Sequence, residues 1–115
     1  MNGLKEHVLR FRAVNLDTFF DIKRGIKTVE TRAATPRYRK IKVGDMLVFV
    51  CGRERFKKKV TKVKLFKSIT ALFKFYPWKT VMTRGKTRAE AVAKYHSFPG
   101  YDEKIKEFGL VAFEF

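Results

Sequence analysis

The segment Arg55–Phe66 places the tightest limit on the fold. Its residues suit a long basic strand, yet its apolar positions change sides: Phe56 and Val60 fit one face, Val63 and Leu65 the other. Side chains of a strand alternate, so one regular strand cannot bury both pairs on the same side. A bulge or bend near Thr61 and Lys62 reconciles them, and such bends are how small β-barrels turn corners.

The rest of the chain supplies partners for that strand. His7–Val14 alternates, with Leu9, Phe11 and Ala13 on one face and Arg10 and Arg12 on the other, and reads as a half-buried first strand. Asn15 is placed to cap a helix over Leu16–Arg24 with an apolar stripe of Leu16, Phe19 and Phe20. The segment 33–42 reads as a loop, because Pro36 biases Thr35 away from helix. Met46–Cys51 is a nearly continuous apolar run typical of a buried strand, and Gly52-Arg53-Glu54 a hairpin turn. Ser68 caps a helix with Ile69, Leu72, Phe73 and Tyr76 on one face, ended by Pro77. Thr87 and Glu90 form a capping box for a helix to about Tyr95, with Val92 and Tyr95 inward. Asp102 suits the cap of a short helix that Gly109 ends, and Leu110–Phe115 closes as a strand. Five or six strands interleaved with short helices predict an α+β, mainly β fold: a small, partly closed barrel with helices over its openings. At 115 residues, positions 1–115 are read as a single domain.

Charge narrows the partners. Lys and Arg number 27 against 11 acids, a formal net charge of +16, while 45% of residues are hydrophobic, so the chain is globular and its expected partner is a polyanion. No run approaches the ~20 apolar residues of a membrane span, and no secretory signal opens the chain. The single Cys51 leaves no internal disulfide, so a cytoplasmic location is expected. His7 and His96 are far apart and no C-x-x-C spacing exists, so neither a metal nor a cofactor is expected.

The candidate site is Gly25-Ile26-Lys27-Thr28-Val29-Glu30-Thr31-Arg32. Gly25 can take the left-handed conformation that ends a helix. In a strand over Thr28–Arg32, Thr28, Glu30 and Arg32 share a face and Val29 points to the core. Lys27 can join that face if it still belongs to the loop. Such convergence makes a cleft; the alternative is an exposed strand with weak ion pairs.

Gly25, Lys27, Glu30 and Arg32 spell G-x-K-x-x-E-x-R. With the preceding Phe20 and Ile22, the Lys42-Val43-Gly44-Asp45 turn, the basic strand ending at Phe66 and the closing Leu110–Phe115, the chain resembles the ASCH (ASC-1 homology) family of PUA-like domains. The resemblance implies a PUA-like β-barrel with a cleft lined by the motif and an association with RNA. One bacterial branch with this fold hydrolyses the acetyl amide of N4-acetylcytidine. It uses the motif lysine, a threonine at the position of Glu30 and an acid just ahead of the late helix. This chain departs from that pattern at both positions, since 55–89 contains no Asp or Glu.

Arg32 offers a planar fork to a phosphate, Lys27 a point charge, and Glu30 an acceptor for an amino or imino group on a base edge. In an enzyme the same three would be catalytic, Glu30 as general base and Lys27 or Arg32 stabilising developing charge. Around them, Thr28, the run Arg37, Tyr38, Arg39 and Lys40, the basic strand with Lys57 and Lys59, and Trp78 are candidate binding residues. Three functions are therefore carried forward: an RNA-binding domain holding a nucleotide or strand, a small metal-independent hydrolase of RNA or a modified nucleoside, and a basic module docking on an acidic protein.

Overall fold

The computed structural model describes residues 5–115. Among these residues six strands form two three-stranded sheets, with short helices between them, an α+β arrangement. In the first sheet β1 (Glu6–Arg10) runs parallel to β3 (Met46–Cys51), which forms an antiparallel hairpin with β4 (Glu54–Lys59). In the second, β6 (Leu110–Glu114) lies between β2 (Val29–Ala33) and β5 (Lys62–Phe66), all antiparallel. No ladder closes these sheets into a complete barrel among the described residues.

The corner expected near Thr61 is where the chain leaves one sheet for the other. The long basic strand is two strands: the Val60 amide donates to Asp45 of the first sheet's turn at 2.9 Å, and the Thr61 amide to Glu114 of the second at 2.8 Å. Val60 is buried in the core between the sheets, and Val63 packs against it. Leu65, expected inside with Val63, is exposed instead, because β5 is an outer strand.

Strand β6 separates two cores. Val111 and Phe113 face the first sheet and pack with Leu9, Leu47, Phe49 and the helix α1 (Leu16–Lys23) through Phe19 and Ile22. Leu110 and Ala112 face the other way, beneath α3 (Ile69–Phe75), α4 (Trp78–Val81), α5 (Arg88–Ser97) and α6 (Tyr101–Phe108), through Leu72, Val81, Tyr95 and Ile105. Burial on both faces explains the apolar composition of this last strand.

Several boundaries differ from the sequence reading. The first strand stops at Arg10, because Ala13–Asn15 turns as a 3-10 helix that leaves Val14 76% exposed. Asn15 makes no side-chain cap, and Leu16 is exposed while Ile22 takes its place in the stripe. The expected loop at 33–42 contains a helical turn, α2 (Pro36–Arg39), started by proline at its first position, where the missing N–H costs nothing. Gly100, not Asp102, precedes α6, and Asp102 instead pairs with His96 at 2.6 Å. The caps at Ser68 and Thr87 form as expected, accepting from the amides of Ala71 and Glu90, both at 3.1 Å.

Candidate functional site

Strand β2 carries the site. Its odd positions face the helices: Val29 is buried there, and the Thr31 hydroxyl bonds the buried Tyr95 hydroxyl. Glu30 pairs with Phe113 and Arg32 with Val111 across the ladder, so both point to the side of the first sheet. On a central strand they would be packed shut. Because β2 is an outer strand, they open into the gap beside β1.

That gap is spanned by side chains and not by a ladder. The outward carbonyls of β1 accept from guanidinium groups, Val8 from Arg37 at 3.1 Å and Arg10 from Arg32 at 3.4 Å. These contacts satisfy an edge that would otherwise be open.

Lys27 reaches the same place from the loop, as the motif requires. Gly25 takes φ of 80°, and the Asp21 carbonyl of α1 accepts the amides of Ile26 at 2.9 Å and Lys27 at 3.1 Å. Its ammonium group lies 3.6 Å from Glu30 Oε1 and donates to the Val81 carbonyl. Arg32 Nε and Nη2 donate to Glu30 Oε2 at 3.2 and 3.1 Å. Lys27 and Glu30 are only 3% and 8% exposed, so this is a buried charge cluster rather than the surface pairing that was the alternative. Phe11 and Tyr38 place their rings 5.0 and 5.7 Å from the Arg32 guanidinium and hold it in position.

Burial perturbs these groups in opposite senses. Desolvation is the largest influence on Lys27 and lowers its pKa against the attraction of Glu30. Burial also opposes the charge on Arg32, but there Glu30 prevails and the pKa is raised. The neighbouring Tyr101 phenol is pushed up, chiefly by burial.

The cluster forms the floor of a cavity of about 500 Å³. Arg10, Phe11, Arg12 and Val14 line one side, and Val81, Met82, Thr83, Arg84 and Gly85 another. Glu90, Lys94, Phe98, Pro99 and Tyr101 complete the wall. Six cations face three carboxylates, Asp17, Glu30 and Glu90, over an otherwise mainly apolar lining. Among the described residues, the side chains of Arg10, Arg12 and Lys94 make no ion pair. The loop after α4 is tied down by Arg84, whose Nε and Nη2 donate to the buried Asp21 carboxylate at 2.7 and 3.0 Å.

Of the residues singled out in the sequence, Lys27, Glu30 and Arg32 meet in the cavity and the others do not line it. Thr28 lies just before the strand and is exposed, so the alternation argument does not reach it. Arg37 and Arg39 donate to backbone carbonyls, Arg39 to Ala34 at 3.2 Å and Phe108 at 2.9 Å, and Lys40 is exposed after the helical turn. Tyr38 acts on the site through Arg32. Lys57 pairs with Glu6 at 2.6 Å, and Lys59 lies on the exposed side of the outer strand β4. Trp78 supports the cavity loop from beneath, its ring 3.3 Å from where a Cβ on Gly85 would stand. Arg10, Arg12, Arg84, Glu90 and Lys94 were missed. Glu90 was visible only as a capping residue and Arg10 and Arg12 only as the polar face of the first strand, while no local pattern marks Arg84 and Lys94; the five come together by tertiary packing. No group of three or more His, Cys, Asp or Glu side chains that could hold a metal occurs among the described residues. No helix among them is long and apolar enough to cross a membrane.

No protein-family model and no curated protein matches this chain. The fold is similar to the crystal structure of hypothetical protein PH0355, with 27% identity, a TM-score of 0.81 and 95% of each chain covered. It is also similar to the solution structure of protein PF0455 from Pyrococcus furiosus, with 24% identity and a TM-score of 0.72, over 95% of this chain and 94% of that one.

Proposed function

We propose that the chain is a cytoplasmic RNA-binding domain of the ASCH, PUA-like kind, its two sheets forming an incompletely closed barrel whose open seam holds a nucleotide. The observation that carries this reading is the cavity between β1 and β2, with Glu30 held between Lys27 and Arg32 at its floor. Its volume of about 500 Å³ lies within the usual range for small-molecule sites. Glu30, fixed from both sides, accepts from the amino or imino edge of a base. Phe11, Phe98 and Tyr101 offer apolar walls to the base, and Arg10, Arg12 and Lys94 provide charge for phosphate.

The test is RNA binding as a function of salt, with Glu30→Gln, Arg32→Ala and Arg12→Ala compared with Lys58→Ala. Affinity is expected to fall steeply with salt through counterion release, and each cavity variant to weaken binding about ten-fold or more while Lys58→Ala has little effect. Absence of binding by the wild type at low salt rejects the reading. Competition by RNA for an acidic protein would separate it from simple docking on such a partner.

One observation favours hydrolysis of RNA or a modified nucleoside as a second reading: a buried lysine of lowered pKa beside a carboxylate in a cavity is a frequent mark of catalytic sites. Turnover of RNA or acylated cytidine in the presence of chelator, lost in Glu30→Gln, would support it. Equal background rates in the two proteins reject it.

A further inference from the structure

The cavity uses little of the positive charge on this molecule. Between Arg55 and Ala89 twelve Lys and Arg residues occur without one Asp or Glu. Within this stretch, Lys62 and Lys64 share a face of β5 by alternation, and their ammonium groups lie 4.9 and 4.7 Å from the centre of the Phe75 ring. Phe75 is 46% exposed although it is anchored, its ring centre 5.8 Å from that of Phe66 and 4.8 Å from that of Tyr76. The carboxylate nearest these lysines, Glu114, is 4.0 Å from Lys62 and already accepts from the Tyr76 hydroxyl. None of these residues lines the cavity.

An anchored, half-exposed ring with two flexible ammonium groups resting over it has the parts of a stacking platform, because lysines drawn onto phosphates would uncover the ring. We propose that this ledge on β5 and α3 is a second contact for single-stranded RNA, with an unpaired base stacked on Phe75 and adjacent phosphates held by Lys62 and Lys64. The proposal rests on the RNA-binding reading above. An acidic peptide would satisfy the lysines but leave the ring unused, whereas every base has a face to stack and phosphates on either side. A duplex keeps its bases inside and offers the ring nothing comparable.

Fluorescence anisotropy with a labelled 12-nucleotide single strand, and with the same strand in duplex, tests the ledge. Phe75→Leu keeps the apolar bulk and removes the ring; it is expected to weaken single-strand binding about ten-fold and duplex binding less than two-fold. The double variant Lys62→Ser, Lys64→Ser is expected to lower the slope of log affinity against log salt by about 1.4. The charge-matched control Lys104→Ser, Lys106→Ser should leave the slope unchanged. The ledge is rejected if Phe75→Leu stays within two-fold of wild type, or if both lysine pairs shift the slope equally, as a diffuse field or an acidic-protein surface would. Those results with Glu30→Gln still impaired leave the cavity reading intact. No binding by the wild type at low salt overturns both.

Discussion

Lys27 occupies a costly environment. Its ammonium group is buried, and Glu30, the Val81 carbonyl and the more distant Asp21 compensate only in part for the lost water. Its folded-state pKa therefore lies below its ordinary value of 10.5. Where the pKa of a lysine is lowered by folding, the unfolded chain binds more protons between the folded value and 10.5, so stability rises with pH across that interval. Below it the penalty is constant. Lys27→Met has no such group, so wild-type stability relative to Lys27→Met should increase as pH rises through the alkaline range toward 10.5. Urea unfolding of both proteins at matched pH checks this, and the comparison cancels the opposite trend from Tyr76, Tyr95 and Tyr101, whose raised pKa values lose stability above about pH 10. A flat difference across that range would mean that water reaches Lys27.

Among the elements, the junction of α6 with β6 is the least forgiving. Gly109 takes φ of 78°, and a Cβ added there would stand 2.4 Å from the Phe66 carbonyl oxygen, a backbone atom of the strand beside β6. Gly109→Ala thus meets both an unfavourable backbone conformation and a clash that no rotamer relieves, and is expected to destabilise by more than about 1 kcal/mol in urea. Gly25 has a similar φ of 80° with nothing within 4 Å of an added Cβ, so Gly25→Ala isolates the conformational part and should cost less. If the two substitutions cost the same, β5 yields at Phe66 and the clash is not the cause.

For the molecule as a whole, the decisive feature is that two sheets meet along a seam bridged by arginine side chains. Arg37 binds Val8 and Arg32 binds Arg10, where a further ladder would have filled the cavity. Arg37→Ala removes one bridge without touching the charge cluster. Hydrogen exchange of β1 amides should quicken while that of β6, sheltered between two cores, stays unchanged. Uniform acceleration of both strands would show instead that the seam supports global stability.

Much of the layout was legible in local patterns. The continuous apolar run of Met46–Cys51, the shift of parity before Val63, and the caps at Ser68 and Thr87 are consequences of side-chain character, side-chain direction and hydrogen bonding within a few residues. The meeting of Lys27, Glu30 and Arg32 was legible for the same reason, being a turn followed by two steps of a strand. What tertiary structure alone decided is which side of β2 stays open, and therefore which distant residues surround the three. Arg10, Arg12, Arg84, Glu90 and Lys94 join them only because β2 is left at the edge of its sheet and α1 and α5 close over the gap. Strand order of that kind depends on contacts between residues far apart in the chain, which periodicity within any one segment does not encode.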